Sequence, residues 1–138
     1  MATSIIQGEY PIWKLLWSNP NTGLTSTMTA NTTITLSNAN YDMLMVLFRI
    51  DDNASNRYSG VLAPKGRSIT LNAAVYGQTF MRTLDYNSDT QFTAQTGYIG
   101  TQNLQNHVCI PMFIYGLKYG YYDSNETITY NSNIEVLH

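Results

Sequence analysis

Apolar residues in this chain come in short runs, and Asn, Gly, Ser, Asp and Pro separate them. That spacing predicts strands joined by turns, and no window sustains a helical period. Strands are predicted at Tyr10–Trp17, Thr32–Leu36, Met43–Ile50, Tyr58–Ala63, Ser68–Tyr76, Thr79–Tyr86, Gln91–Ala94, Val108–Leu117, Thr127–Tyr130 and Ile134–Leu137. Turn sequences stand between them, among them Asn19-Pro20-Asn21, Asp51-Asp52-Asn53, Pro64-Lys65-Gly66 and Asn87-Ser88-Asp89. The expected fold is all-β: an antiparallel two-sheet β-sandwich, jelly-roll-like, with about nine to ten short strands. No linker or internal repeat divides the chain, so residues 1–138 read as one domain.

Two strands break the usual alternation. In Met43–Ile50, Leu44, Val46, Phe48 and Ile50 form one apolar face, but Met43, Met45 and Leu47 make the other face apolar too. In Val108–Leu117, Val108, Ile110, Met112 and Ile114 share one face; Cys109, Phe113, Tyr115 and Leu117 share the other. A half-exposed strand should alternate apolar with polar. Both strands are therefore expected to be covered on both sides, by a loop, a terminal segment or another subunit. Another subunit is the preferred reading, with Met43, Met45, Leu47, Phe113 and Tyr115 at the contact. Trp13 and Trp17 fall on one face of the first strand with Leu15 between them, which predicts core packing.

Charged residues make up only 12% of the chain, and the net charge is −2. Lys and Arg are scattered, whereas nucleic-acid binding needs several convergent cations, so no nucleic-acid partner is expected. The longest apolar stretch, Met43 to Phe48, is too short to span a membrane. Met1-Ala2-Thr3-Ser4 has neither the basic nor the long apolar part of a signal peptide. The sequons at Asn31, Asn53 and Asn125 are read as chance occurrences in an Asn- and Thr-rich chain.

Catalytic machinery is not expected. Cys109 is the only cysteine and sits in an apolar run, which predicts a buried, inert thiol. Two histidines and one cysteine offer no zinc spacing, and Asp51-Asp52-Asn53 lacks the spacing of a calcium loop. No metal or cofactor is predicted. The nine carboxylates sit mostly in turns or at strand ends, and there is no nucleophile elbow, P-loop or dinucleotide fingerprint.

The eleven tyrosines are the remaining signal. Several lie near turns, where a rigid amphipathic ring can stack on sugar or protein. Candidate ligand contacts, chosen for turn proximity, are Tyr58, Tyr86, Asp89, Tyr98 and Asn103.

Four stretches carry a resemblance: Trp13-Lys14-Leu15-Leu16-Trp17-Ser18-Asn19-Pro20, then Ile34-Thr35-Leu36, then Asn40-Tyr41-Asp42 running into Met43–Arg49, then His107-Val108-Cys109-Ile110-Pro111 running on to Tyr115-Gly116-Leu117-Lys118. In order and wording they resemble a β-rich domain of tail and tail-fibre proteins of phages and prophages of gut Firmicutes. The likeness covers about residues 12–118, and residues 119–138 read as a C-terminal extension. The resemblance implies a β-sandwich in a virion appendage, commonly trimeric, that attaches to the host surface. It implies as partners a homotrimer, other virion proteins and a host-surface glycan, with synthesis in the bacterial cytoplasm and residence in the virion. It brings no binding site with it. The other functions open to the sequence are a purely structural virion component, a free-standing carbohydrate-binding module and, least supported, a hydrolase.

Overall fold

The computed structural model describes residues 10–52, 56–102, 104–122 and 128–130, and contains no helix among them. Ten strands of the described residues form two antiparallel sheets. Sheet A runs in the order β1 (Tyr10–Ser18), β9 (Ile110–Tyr122), β3 (Met43–Arg49), β4 (Tyr58–Pro64), with β10 (Ile128–Tyr130) also paired to β9. Sheet B runs β2 (Thr32–Thr35), β7 (Gln91–Ala94), β6 (Gln78–Ser88), β5 (Ile69–Val75), with β8 (Tyr98–Ile99) beside β6. β1 returns to pair with the distant β9, and β2 with β7, so these two pairs nest one inside the other. β3–β4 and β5–β6–β7 are local hairpins. The expected all-β sandwich is the observed architecture.

Alternation builds the core. Leu44, Val46 and Phe48 of β3 and Ile110 and Ile114 of β9 point inward from sheet A. They meet Ile34, Leu71, Leu84 and Phe92 of sheet B, and all of these are buried. Each such side chain contributes about 1.5–3 kcal/mol of gross transfer energy.

The structure departs from the expected strands at both ends of β9 and at β8. β9 starts at Ile110 rather than Val108, because Cys109 adopts a positive φ of 48° that a ladder cannot use. Cys109 is fully buried in the core, so it does not belong to the outward set with Phe113 and Tyr115. β9 also runs past Leu117 to Tyr122, where Gly120 is paired with Tyr10 on one side and Tyr130 on the other. Residues 119–122, expected to lie in an extension, therefore continue sheet A. The short β8 has no counterpart among the expected strands. The strand predicted at Ile134–Leu137 lies outside the described residues.

A bulge in β1 corrects the reading of the tryptophans. The register with β9 slips between Leu15 and Trp17. Trp13 and Leu15 consequently face outward, 39% and 49% exposed, whereas Trp17 packs against the core. An extra residue in one strand reverses the facing of the residues beyond it.

The β5–β6 hairpin turns through two residues, Tyr76 and Gly77, both with positive φ (51° and 78°). This is the mirror-image turn that suits strand twist, and it favours Asn-Gly. Tyr76 is 90% exposed, and its ring lies under the Arg57 guanidinium, 5.3 Å from the centroid. Tyr76→Asn should therefore raise the urea-unfolding free energy by about 1 kcal/mol, the usual cost of a bulky residue in the left-handed region. A loss of stability in that measurement would mean that the Arg57 contact outweighs the strain.

Candidate functional site

The two outer faces of the sandwich differ in chemistry. On sheet A, ladder partners align Trp13, Leu117, Met43 and Pro64 in one row and Leu15, Tyr115, Met45 and Leu62 in the next. Phe113 and Leu47 follow, opposite Gly60. These three rows contain no charged residue. The five residues assigned from sequence to an oligomer contact, Met43, Met45, Leu47, Phe113 and Tyr115, all fall on this face and are half-buried. Leu62 is 56% exposed at its margin. Sequence reasoning missed Trp13, Leu15 and Leu62: the β1 bulge hid the first two, and Leu62 lies between Val61 and Ala63 in a strand without clear alternation.

Sheet B presents polar groups outward. Thr33, Thr93 and Asp85 are cross-strand neighbours, as are Thr83 and Thr70. The Gln95 amide donates to Asp85 Oδ2 at 2.7 Å, and the Asn87 amide donates to Thr93 Oγ1 at 2.6 Å. A cleft of about 450 Å³ opens here, lined by Met81, Arg82, Thr83, Asp85, Gln95, Thr96 and Tyr98. A smaller one, about 280 Å³, lies at the sheet edge beside Trp17, Asn19 and Met28. The polar alternation Thr79, Met81, Thr83, Asp85, Asn87 was legible in sequence and could have pointed to this face.

The ligand candidates chosen from sequence do not converge. Tyr98 lines the sheet B cleft. Tyr86 and Asp89 instead brace the β6–β7 turn. The Tyr86 hydroxyl donates to Asp89 Oδ1 at 2.6 Å, and its ring meets Phe92 edge-on at 5.8 Å. That hydrogen bond to the carboxylate holds the Tyr86 phenol above its ordinary pKa. The Tyr41 hydroxyl donates to the Asp89 carbonyl at 2.7 Å and so ties the same turn to the opposite sheet. Tyr58 begins β4, in sheet A, and is exposed. Asn103 lies outside the described residues.

One end of the sandwich is closed by two fully buried arginines. Arg82 follows the inward alternation of β6 between Phe80 and Leu84. Its Nε donates to the Val108 and Cys109 carbonyls, both at 3.1 Å. Nη1 donates to Met28 and Gln95 carbonyls at 2.9 and 2.6 Å, and Nη2 to Asn106 and Val108 at 3.3 and 3.0 Å. Burial pulls its pKa down to about 10, which leaves it charged at neutral pH. Arg49 plays a similar part, donating to the carbonyls of Gly23, Ser26 and Asp51. Asp51 in turn pairs with Arg57, so the Asp51-Asp52 turn reads as a structural corner. Gly97 sits against this hub. A Cβ there would stand 2.5 Å from the Gln105 carbonyl oxygen and 3.1 Å from Arg82 Nη2.

Cys109 is buried beside Arg82, and burial pushes its thiol from 9.0 up to about 12. A thiol reagent at pH 8 should modify it only on unfolding. Tyr41 is likewise raised from 10.0 to about 12, chiefly by burial. Both acids keep their protons to higher pH when folded. Their stabilising contribution is therefore complete below about pH 9 and is lost as the pH rises through about 12. Arg82, lowered by burial, acts in the opposite sense above about pH 10, but it is one group against two. Urea-unfolding midpoints should fall between pH 9 and pH 12; a flat profile would contradict this.

Among the described residues no group of three or more His, Cys, Asp or Glu is arranged to hold a metal ion. No family model, curated protein or solved structure matches the chain. Nothing in these comparisons links the chain to phage tail proteins.

Proposed function

We propose that the chain is a non-enzymatic attachment module of a phage or prophage virion, of the tail-fibre or receptor-binding type, working as a homotrimer. The observation that carries this reading is the uncharged outer face of sheet A, where Trp13, Leu15, Met45, Leu47, Leu62, Phe113 and Tyr115 lie in continuous rows. A contiguous apolar face of this kind marks an association surface. The occupant we assign is a second copy of the chain. These three rows carry no charge, so copies meeting through them bring no like charges together, and packing them between copies would remove the apolar rows from water. Sheet B would then point outward, presenting hydroxyls and amides to a host-surface polysaccharide. Symmetry would multiply weak contacts into useful avidity.

A second reading has its own support. The sequence-chosen ligand candidates scatter, and two of them brace a turn, which favours a purely structural virion component that binds no receptor. Light scattering on a gel-filtration column gives the first test: three times the 15.6 kDa chain mass is expected. A monomer would overturn the trimer. Retention on gut bacterial cells then separates the two readings, since attachment requires it and a purely structural part lacks it.

A further inference from the structure

We infer that the sheet B cleft is a subsite for a neutral pyranose, with Tyr98 as the stacking wall and Asp85 as the hydroxyl acceptor. The inference rests on the attachment reading and deepens it by naming where and what the module would bind. At about 450 Å³ the cleft is within the size range of small-molecule sites. Its wall and floor suit the two chemistries of a sugar ring. Tyr98 is 36% exposed and is fixed by pairing of its strand with Met81, so its ring is available to the C–H face of a pyranose. Met81 is half-buried and supplies an apolar floor.

The polar side is held in place before any ligand arrives. Gln95 donates its side-chain amide to Asp85 Oδ2, while its own backbone carbonyl accepts from Arg82 at 2.6 Å. The carboxylate is thereby oriented with Oδ1 able to accept ligand hydroxyls, and Thr83 and Thr96 line the same cleft. A pre-oriented acceptor costs less ordering on binding. The described residues show no salt bridge to Asp85, since both ion pairs found lie elsewhere. Arg82 also lines the cleft, but it is 1% exposed and donates from all three of its nitrogens to main-chain carbonyls. The accessible charge is therefore that of Asp85, which would repel a uronic or sialic acid. The ligand class is a neutral sugar with adjacent hydroxyls.

The test is an amide NMR titration of the full chain with methyl glucoside, methyl galactoside and methyl mannoside, with glucuronate as the charged comparison. Saturable shifts are expected at residues 81–85 and 95–98 with at least one neutral glycoside and not with glucuronate. Tyr98→Ala should weaken that binding about tenfold, Tyr98→Phe should keep it, and Asp85→Asn should weaken it by a similar factor. Unchanged thermal melting of Tyr98→Ala would show that the loss is local. No saturable shift with any neutral glycoside, shifts centred on the Trp17 cleft, or wild-type binding by Tyr98→Ala would each overturn the inference. If the wild-type chain is retained on bacterial cells while the cleft stays silent, the subsite fails and the attachment reading stands. If neither is seen, both fail.

Discussion

Arg82→Met is expected to destabilise the domain by about 3–5 kcal/mol, a large share of the roughly 5–15 kcal/mol typical of a folded domain. The side chain reaches five backbone carbonyls: Met28, Gln95, Asn106, Val108 and Cys109. Those oxygens belong to three separate segments that close one end of the sandwich. Replacing a buried ion by a hydrophobic residue is often harmless when its partners can be made apolar too. Here they cannot, because carbonyls are part of the main chain. The Asn106 carbonyl would keep the Met28 N–H as a donor, but methionine would take the Arg82 donors from the other four, at about 1–3 kcal/mol for each one left unsatisfied that water cannot reach. Arg82→Lys should rescue little, since an ammonium has three donors and no planar fork. Urea-unfolding midpoints of the three proteins check this. If Arg82→Met unfolds with the wild type, the carbonyls must relax into water and Arg82 is no clamp.

Met45→Glu is expected to return the proposed trimer to monomer. Met45 lies in the middle row of the sheet A face, between Tyr115 and Leu62. A carboxylate there would be buried against apolar rows, and each copy would bring one. Juxtaposed like charges cost several kcal/mol, so association should weaken by a factor of about a hundred or more. The outward orientation separates this from misfolding: Met45 faces away from the core, so far-UV circular dichroism of the monomer should be unchanged. Thr70→Glu, on the exposed face of sheet B, is the control and should leave the mass alone. A Met45→Glu protein that keeps the wild-type mass would place the contact elsewhere.

Much of this organisation can be read from the chain because it is local. Successive residues of a strand point to opposite faces, so alternation in residues 79–86, and its failure in residues 43–50, report burial without knowledge of the partner strand. The unusual strands Met43–Arg49 and Ile110–Tyr122 announced a second apolar face, and they do share one. Turn residues marked most strand ends to within two positions. The core, the lack of helix and the apolar outer face of β3 and β9 come from pattern alone.

The sequence by itself determined which stretches are strands and which of their faces avoid water. The tertiary structure decided the rest. Pairing of β1 with β9, about a hundred residues apart, inserts the bulge that turns Trp17 inward and leaves Trp13 and Leu15 outside; no neighbour in the chain signals it. Arg82 shares an apolar alternation with Phe80 and Leu84, but its acceptors come from loops at residues 28, 95 and 106–109, which only folding brings together. Turn proximity grouped Tyr86, Asp89 and Tyr98 as ligand contacts. In space the first two brace a hairpin and only Tyr98 reaches a cleft. The physical reason is range: side-chain alternation is set by the backbone within two residues, whereas bulges, buried charges and clefts are set by which distant strands pack together.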